Sequence, residues 1–438
     1  METGKQMKQK DYFEKHVNLN VRGLPVSATL RINELSNRLL AEGRQIYKMG
    51  LGQSPFPVPL PVVEELQANA HQKDYLPVRG LPALQKAVAD YYQRTQNLNF
   101  SPEHILVGPG SKELMFILQL VYYGDLVIPT PSWVSYAPQA HIIGRHVYWL
   151  PTRRDNRWLL TPEELEKHCE HDPTKPRIVI LNYPNNPTGC SYTDDELKAL
   201  AEVARKYQII ILSDEIYGEL DFDGAHVSIA RHYPEGTIIS SGLSKWCGAG
   251  GWRLGTFTFP AALDWLLEGM AAVSSETFTA TSAPIQYAAV RAFRGGTRIE
   301  KYLSHSRRIL KFLSVAVCHR LTEAGAIVAP PQGAFYIFPD FSPLKEQLSS
   351  RGINTSAEMC ECILEDTGVA ILPGTAFGRP EQELTTRMAL VDFDGAKALS
   401  SSEHYPLHEP LPEKFPEDYC FKVIEATDKL CEWMVKKT

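Results

Sequence analysis

The sequence predicts an α/β protein with a mostly parallel sheet of seven strands and a second, smaller α+β unit. Between about residues 100 and 260, short apolar runs are each followed by a turn, and helical patterns separate several of them. Apolar strands that alternate with helices are typical of a parallel sheet covered on both faces. The seven runs are HILVGPG, DLVIPTP, HVYWLPT, RIVILNYP, QIIILSDE, TIISSGLSK and LGTFTFP.

The composition is that of an ordinary globular protein. Of 438 residues, 44% are hydrophobic and 22% are charged, which excludes a wholly disordered chain. The net charge of -6 argues against a general nucleic-acid binder, which is usually basic. The 8 cysteines are too scattered for a disulfide scaffold, no run could span a membrane, and residues 1–16 lack the apolar core of a secretory signal. We therefore predict a cytoplasmic protein without nucleic-acid or membrane partners.

The first elements follow from apolar spacing and from proline. In residues 1–50, the stretch SATLRINELSNRLLAEGRQIYKMG has apolar side chains at helical spacing, and Gly50 is predicted to cap that helix. The next stretch, LGQSPFPVPLP, is rich in proline and is predicted to be extended or looped. Among the strands of the sheet, helices are predicted over residues 112–123 and 193–207.

The C-terminal part is predicted to form the smaller unit. A long helical pattern begins near residue 300, and GAFYIFPDF and TRMALVDF are predicted strands. Residues 401–419 are proline-rich and charged and are predicted to be a surface insertion before a closing helix. The predicted division is an N-terminal segment (1–50) that packs on the small domain, a large domain (51–295) and a small C-terminal domain (296–438).

Candidate ligand-binding residues follow five of the predicted strands. In an open α/β sheet, ligands bind outside the carboxyl ends of the strands. The segments that follow the strands contain a lysine, an aspartate, a tyrosine, an asparagine, a tryptophan and a glycine turn that opens a helix. Together these groups could hold an aromatic, phosphorylated, electrophilic cofactor. The five segments are Gly108–Lys112, Pro131–Trp133, Asn182–Gly189, Asp214–Tyr217 and Ser241–Lys245.

Five motifs in this order resemble those of the class I/II pyridoxal-phosphate-dependent aminotransferases, the fold-type-I enzymes of the aspartate aminotransferase superfamily. The resemblance covers about residues 50–390. It implies pyridoxal 5'-phosphate as cofactor, a large cofactor-binding domain with a small α+β domain, amino acid and 2-oxo acid substrates, and a homodimer with shared active sites. The motifs are PSWVSY, NYPNNPTG, SDEIYGEL, SGLSKWCGAGGWRLG and PGTAFG with a following arginine.

The resemblance implies that Lys245 forms the internal aldimine and then moves the proton at the substrate α-carbon. An amine attacks an aldehyde only when it is neutral, and a free lysine is almost fully charged at pH 7. Burial or a nearby cation, here Arg253 and the cofactor ring nitrogen, would lower the pKa of Lys245. Without the flanking motif, Lys245 would be interpreted as a surface lysine after a strand.

Asp214 and Tyr217 complete the predicted catalytic set. The cofactor withdraws electrons only while its pyridine nitrogen is protonated, and the resemblance places the Asp214 carboxylate there. Tyr217 would reach the phenolic oxygen O3′ of the cofactor, as would Asn186. The alternatives are a helix N-cap for Asp214, core packing for Tyr217 and a simple turn for Asn186.

The phosphate of the cofactor is predicted to bind at the start of a helix. Gly110, Ser111 and Lys112 open a helical pattern after a strand, and a helix N-terminus offers free N–H groups and a positive dipole end. Arg253 would add a bidentate contact. Neither glycine-rich stretch completes a dinucleotide-binding fingerprint, so a nucleotide site is not favoured.

The remaining predicted cofactor contacts are a serine, a tryptophan and a tyrosine. Many family members carry a phosphate-binding serine where this chain has Gly242, and Ser244 and Ser241 are the candidate substitutes. Trp133 matches the aromatic residue that stacks on the cofactor ring, with core packing as its alternative. Tyr75 matches a tyrosine that reaches the partner subunit's phosphate, with an ordinary surface tyrosine as its alternative.

Arg387, Gly52 and Asn186 are the predicted substrate-binding residues. Arg387 matches the arginine that binds the substrate α-carboxylate, since a planar guanidinium suits a carboxylate. Its alternative is a structural ion pair. Gly52 aligns with a loop glycine whose backbone approaches that carboxylate. The side chain of the substrate is left open, because no arginine in YLPVRG, PSWVSY or SSETFTATSAP clearly indicates a dicarboxylate substrate. Arg79 lies near Tyr75, but a loop arginine is usually solvated.

A histidine- and cysteine-containing cluster does not predict a metal site. His168, Cys169, Glu170 and His171 are predicted to lie in a loop before a proline, and no second pair of ligands stands at zinc spacing.

Three functions are compatible with the motifs. The preferred one is an aminotransferase that moves an amino group from an amino acid to a 2-oxo acid. The alternative is a pyridoxal-phosphate lyase that cleaves C–S or related bonds by β- or γ-elimination, because the motifs bind parts that both reactions share. A non-catalytic regulator is the third, and the joint presence of the catalytic residues argues against it.

Overall fold

The structure is a computed structural model that describes residues 16–435. The prediction about a secretory signal concerns residues 1–16, and all but the last of these lie outside the described residues. Within the described range, none of the helices combines the length and apolar character that a bilayer crossing requires.

The described residues form strands β1 to β12 and helices α1 to α15. The strands are β1 Tyr47–Lys48, β2 Ile105–Gly108, β3 Asp125–Thr130, β4 Val147–Pro151, β5 Arg177–Asn182, β6 Ile210–Asp214, β7 Thr237–Gly242, β8 Gly255–Thr258, β9 Tyr336–Ile337, β10 Val369–Ala370, β11 Leu372–Pro373 and β12 Thr386–Ala389. The helices are α1 Ala28–Ala41, α2 Leu60–Asn69, α3 Pro82–Gln96, α4 Ser111–Val121, α5 Tyr136–Ile142, α6 Pro162–Glu170, α7 Asp194–Lys206, α8 Asp264–Thr277, α9 Ala283–Arg294, α10 Thr297–Glu323, α11 Lys345–Ser350, α12 Ser356–Thr367, α13 Gly395–Ser402, α14 Phe415–Tyr419 and α15 Phe421–Val435.

The large sheet confirms the predicted fold class. Its 7 strands lie in the order β2-β8-β7-β6-β5-β3-β4. All of the neighbouring pairs are parallel except those made by β8, which runs antiparallel to both β2 and β7. Each of the seven apolar runs in the sequence forms one of these strands.

Both faces of the large sheet are covered. In β5, Ile178 and Ile180 face the core that contains α4 and α8, whereas Val179 and Leu181 face the core that contains α6 and α7. This alternation explains the nearly continuous apolar composition of the strands, because successive side chains point to opposite faces and both are buried.

A smaller sheet lies in the C-terminal part of the chain. Its 3 strands have the order β11-β12-β9 and are antiparallel. Strand β1 pairs in parallel with β10, which joins the N-terminal segment to this part of the fold. The observed sheets agree with the predicted α/β and α+β parts, and the domain boundaries stay a prediction.

Two local predictions were wrong, and a third is refined. Helix α1 ends at Ala41 rather than at Gly50, because Gly43 takes a left-handed φ of 86° and the chain then enters β1. The surface insertion at 401–419 stays a prediction: most of its residues are exposed, but Leu411 is 4% exposed and Phe415, at the start of α14, is 2% exposed. His168 lies in the last turn of α6, not in a loop.

Candidate active site

A cavity of about 440 Å³ opens at the carboxyl ends of the central strands. It is bordered by residues that follow β5, β6 and β7, by the start of α4, and by β9 and β12 of the smaller sheet. Most of the residues predicted from the sequence meet there. The predicted residues that line the cavity are Gly52, Ser111, Lys112, Trp133, Asn186, Asp214, Tyr217, Ser244, Lys245, Arg253 and Arg387.

Lys245 reaches this cavity from the turn after β7. Its Nζ donates a hydrogen bond to the backbone oxygen of Gly52 at 2.7 Å. Burial lowers the pKa of Lys245 to about 8, and the positive charges of Arg387, Arg253 and Lys112 act in the same direction against the opposing charge of Asp214. This amine is therefore neutral far more often than a solvated lysine.

Asp214 is the last residue of β6 and is buried. Its Oδ2 accepts a hydrogen bond from the Tyr136 hydroxyl at 2.6 Å, and its Oδ1 accepts one from Ser240 Oγ at 3.3 Å. Burial raises its pKa to about 6, although these hydrogen bonds favour the charged form. Asp214 does not cap a helix, because a short turn leads to a 3₁₀-helix at Gly218–Leu220.

Tyr217 and Tyr336 form a pair of buried phenols in the cavity wall. Their hydroxyl groups lie 2.8 Å apart and share a hydrogen bond. The Tyr336 ring also stands against Gly52, where an added Cβ would come within 1.8 Å of the Tyr336 hydroxyl oxygen. Glycine at position 52 therefore permits the approach of this loop to the smaller sheet.

Arg387 is fully buried in β12, with an exposure of 1%. Its Nη1 donates to Asn186 Oδ1 at 3.1 Å, and its Nη2 donates to the Gly50 backbone oxygen. The guanidinium carbon lies 4.8 Å from the Tyr336 ring centroid and 5.0 Å from that of Phe377. Arg387 lines the cavity, and its buried Nε has no hydrogen-bond partner among residues 16–435.

Asn182 holds the strand ends that carry Asp214 and Asn186. Its Nδ2 donates to the Asp214 backbone oxygen at 2.8 Å, and its Oδ1 accepts from the Asn186 backbone N–H at 2.7 Å. One amide thereby fixes two turns that border the cavity.

The first turn of α4 forms the opposite end of the cavity. Gly110, with a φ of 93°, precedes the helix, and Ser111 is its first residue. Strand β8 approaches this turn so closely that a Cβ on Gly255 would lie 2.1 Å from the Ser111 backbone nitrogen. Arg253 lies beside the same turn, and a Cβ on Gly110 would lie 2.2 Å from its Nη2. Free N–H groups and a guanidinium thus converge here, as an anion requires.

Lys112 and Trp133 also line the cavity. Lys112 Nζ lies 5.3 Å from the Trp133 ring centroid. Partial burial and the charge of Arg253 lower the pKa of Lys112. The Trp133 ring meets the Tyr136 ring edge to face at 5.2 Å, which fixes its orientation.

Some predicted residues lie elsewhere. Tyr75 is 90% exposed and does not line the cavity. Gly110 is buried behind the cavity wall. Of the two candidate serines, Ser244 lines the cavity, whereas Ser241 is buried in β7. Arg79 pairs with Glu268.

Gly242 has no room for the side chain that many family members carry at this position. An added Cβ would lie 2.6 Å from the Leu254 backbone oxygen and 2.9 Å from the Gly255 Cα. Strands β7 and β8 are therefore too close together here for a serine.

The sequence did not assign roles to Tyr136, Tyr336 and Asn182. Tyr136 lies in the motif PSWVSY, Asn182 opens the motif NYPNNPTG and the predicted segment Asn182–Gly189, and Tyr336 lies in the predicted strand GAFYIFPDF. The motifs could have indicated these residues. Their roles depend on contacts with side chains that are distant in sequence, and a local motif does not show such contacts.

The arrangement fits pyridoxal 5'-phosphate. A buried carboxylate suits a ring nitrogen, two phenols and an amide suit a phenolic oxygen, a helix start with an arginine suits a phosphate, and a lysine with a lowered pKa suits an aldehyde. The guanidinium of Arg387, which lines the cavity, suits a carboxylate. Each polar feature of the cofactor and of an amino acid thus has a matching group.

Comparison with known proteins identifies the family. The family model described as "Aminotransferase class I and II" matches residues 44–392. An aspartate aminotransferase from Bacillus subtilis is 32% identical over 371 residues, which are 82% of this chain and 91% of that protein. One from Geobacillus stearothermophilus is 34% identical over 372 residues, again 82% of this chain and 91% of that protein.

Solved structures agree with this result. Aspartate aminotransferase from Thermus thermophilus with maleate superposes with a TM-score of 0.81 at 26% identity, covering 96% of this chain and 100% of that chain. The enzyme from Rhizobium meliloti superposes with a TM-score of 0.82 at 26% identity, covering 97% of this chain and 100% of that chain. None of these similarities favours an elimination lyase. The chain therefore belongs to the class I and II aminotransferases, and it is a pyridoxal-phosphate-dependent enzyme that transfers amino groups.

Proposed function

We propose that Lys245 is the amine that holds the cofactor and then moves the proton at the substrate α-carbon. When bound, pyridoxal phosphate supplies a carbonyl group that joins amines and a ring that withdraws electrons from the α-carbon. The observation that carries the proposal is the position of Lys245 in one cavity with Asp214 and Arg387, at a pKa of about 8. An amine that changes charge near neutral pH can both release and accept a proton.

The other cavity residues bind and orient the cofactor in this proposal. Asp214 holds a negative charge at the ring nitrogen, and Tyr217 and Asn186 donate hydrogen bonds to the phenolic oxygen. Trp133 stacks on the ring. The phosphate is bound by a group at the far end of the cavity, which comprises Gly110, Ser111, Lys112, Ser244 and Arg253.

Arg387 binds the α-carboxylate of the amino acid or 2-oxo acid in this proposal. Its rigid attachment to Asn186 and its position in the cavity wall support this role, because a planar guanidinium can form two parallel hydrogen bonds to a carboxylate. Gly52 brings the loop backbone to the same end of the cavity. Aspartate is the first amino donor to test, because the similar proteins are named aspartate aminotransferases.

We further propose a cytoplasmic homodimer with shared active sites. Tyr75 is 90% exposed in the single chain, and a partner subunit could cover it. All 8 cysteines are free thiols, which is consistent with a reducing compartment. The pairing of β1 with β10 supports packing of segment 1–50 on a small domain at 296–438, with residues 51–295 as the large domain.

The decisive experiment locates the attachment of the cofactor. After borohydride reduction of the holoenzyme, peptide mass spectrometry should find the cofactor mass on the peptide that contains Lys245. Lys245→Ala should lose amino transfer from a panel of donors to 2-oxoglutarate and pyruvate. Lys206→Ala is the matched control, because Lys206 is a surface lysine paired with Glu166 at 2.6 Å. A label on a different lysine would overturn the assignment.

A further inference from the structure

A second buried carboxylate, Glu215, directly follows Asp214 and faces away from the cavity. Its Oε1 accepts hydrogen bonds from Ser213 Oγ at 2.7 Å and from Ser228 Oγ at 2.5 Å. Its Oε2 lies 3.0 Å from Nε2 of His226. Glu215 is 6% exposed, so this carboxylate is held entirely by protein groups.

His226 has Glu215 as its polar partner. The side chain is 10% exposed, and Nδ1 has no hydrogen-bond partner in the described part of the chain. The imidazole lies against the Tyr183 ring at 5.3 Å and against Gly218, where an added Cβ would lie 2.9 Å from Cδ2 of the histidine. Gln96 fixes the histidine backbone by a hydrogen bond of 3.0 Å to its oxygen.

The charges around His226 favour its imidazolium form. Burial alone would lower the pKa of His226, but the hydrogen bond and charge of Glu215, with the charges of Asp221 and Glu219, outweigh burial and raise it. Glu219 is itself paired with a cation, Arg307 on α10, and accepts a hydrogen bond from Tyr91 on α3. The neighbouring phenols of Tyr92 and Tyr183 stay neutral, because burial and Glu215 raise the pKa of each well above its ordinary value.

The pair stands directly behind two residues of the proposed site. Asp214 precedes Glu215, and Tyr217 lies in the turn that closes with a hydrogen bond of 2.8 Å from the Gly218 N–H to the Glu215 backbone oxygen. The negative charge of Glu215 contributes to the raised pKa of Asp214, since like charges disfavour ionisation. A positive charge on the far side of Glu215 reduces that effect.

We propose that the buried Glu215–His226 ion pair is a positioning device for the reaction, which fixes the turn that carries Asp214 and Tyr217 and balances the charge behind Asp214. The inference rests on the proposed function, in which the Asp214 carboxylate serves the cofactor ring nitrogen. Neither member of the pair touches the cavity. Both act through Asp214.

Single substitutions of the pair should change Asp214 in opposite directions. His226→Gln keeps a donor near Glu215 but removes the positive charge, so Asp214 should become harder to ionise. Glu215→Gln removes the negative charge that disfavours ionisation of Asp214, and with it the partner that keeps His226 protonated, so Asp214 should become easier to ionise. The double variant His226→Gln/Glu215→Gln should behave like Glu215→Gln, because the charge of His226 depends on Glu215. A purely structural role would shift both single variants in the same direction.

The readout is the affinity of the apoprotein for pyridoxamine 5'-phosphate as a function of pH, measured by calorimetry between pH 5 and pH 8. Binding should weaken as Asp214 becomes protonated. We expect that pH midpoint to rise by about one unit in His226→Gln, and to fall both in Glu215→Gln and in the double variant. His232→Gln is the matched control, because His232 pairs with Asp194 at 2.7 Å on the surface.

Midpoints that coincide with the wild type in both single variants would overturn the proposal, and so would shifts of the same sign. If one single variant fails to fold by circular dichroism, the sign of the shift in the other and a lowered midpoint in the double variant still decide. Asp214→Asn separates the two levels of inference. If this variant also leaves the affinity and its pH dependence unchanged, then the proposed role of Asp214 has failed and not merely the ion pair behind it.

Discussion

Lys245 combines the properties of a nucleophile and a proton carrier because the protein removes it from water and surrounds it with cations. Its pKa of about 8 leaves a substantial neutral fraction at neutral pH, whereas an ordinary lysine is almost entirely charged there. The loop oxygen of Gly52 holds the Nζ in place at 2.7 Å. Reactivity and orientation therefore come from different parts of the chain.

The first prediction concerns the pH dependence of this amine. Because only the neutral form attacks an aldehyde, the apoprotein should capture pyridoxal phosphate with a rate that rises about tenfold per pH unit below the pKa. The rate should level off near pH 8, where the pKa of Lys245 lies. Stopped-flow absorbance measures it. A rate that continued to rise toward pH 10 would contradict the effect of burial and neighbouring charge.

A second prediction concerns Arg387. Replacing it by glutamine removes a cation that lowers the pKa of Lys245, so the midpoint of the capture rate should move to higher pH. It also removes charge-assisted hydrogen bonds, which contribute about 1.5–3 kcal/mol, so KM for amino and oxo acids should rise by about 10- to 100-fold. Steady-state kinetics check this change. Arg205→Gln is the control, since Arg205 pairs with Glu235 at 2.7 Å on the surface, and an equal effect there would contradict the prediction.

Sequence motifs predicted which residues would meet at the site but not how they are held. Lys245, Asp214 and Arg387 stand in short local patterns that were sufficient to predict them. The supporting contacts are not local: Tyr136 reaches Asp214 across 78 positions, and Tyr336 reaches Tyr217 across 119. Such contacts depend on tertiary packing, which no local pattern contains.

At the scale of single elements, prediction worked where burial and periodicity agreed. The apolar runs of the sheet are buried on both faces except in the edge strand β4, where Tyr148 and Trp149 are exposed. Helix α7 has a complete capping box, in which Thr193 and Glu196 each bond the other's backbone N–H. The end of α1 was missed, because Gly43 stops the helix while the following residues still show apolar spacing and then pair with β10. Strand pairing that distant in sequence overrides a helical pattern.

The approach of β8 to α4 gives the third prediction. A Cβ on Gly255 would lie 2.1 Å from the Ser111 backbone nitrogen, and backbone cannot rotate away as a side chain can. Gly255→Ala should therefore destabilise the protein by about 1–3 kcal/mol in urea unfolding. Gly251→Ala is the control, because nothing lies within 4 Å of its added Cβ, and its change should stay within about 0.5 kcal/mol. Equal losses would contradict the argument.

The fourth prediction concerns the segment 401–419, which the sequence predicts to be a surface insertion. Phe415 is 2% exposed and packs against Tyr419 at 4.7 Å, so Phe415→Ala should cost about 3–5 kcal/mol. Leu407 belongs to the same segment but is 49% exposed, and Leu407→Ala should change the free energy of unfolding by no more than about 0.5 kcal/mol. Urea unfolding compares the two. Similar, small changes in both variants would mean that the whole segment is a surface insertion and that Phe415 does not stabilise the fold.

At the scale of the whole molecule, the site is built where the two sheets meet. Lys245 and Asp214 come from strand ends of the large sheet, whereas Arg387 and Tyr336 come from β12 and β9 of the smaller one. Groups for the cofactor and groups for the substrate carboxylate thus belong to different parts of the fold. The position of the smaller sheet against the cavity explains why Gly52, in the loop between them, has no room for a side chain.

The last prediction concerns assembly. If Tyr75 completes the site of a partner subunit, then Tyr75→Ala and Lys245→Ala should each impair amino transfer, while mixing and reassembling the two variants should restore part of it. Random pairing makes about half of the dimers mixed, and each mixed dimer has one site that is intact and one that carries both changes. Activity should therefore approach about a quarter of the wild type. Light scattering should give twice the chain mass of 49.2 kDa for every variant. No recovery on mixing, from proteins that are dimeric and exchange subunits, would mean that each site is complete within one chain and that the exposure of Tyr75 has another cause.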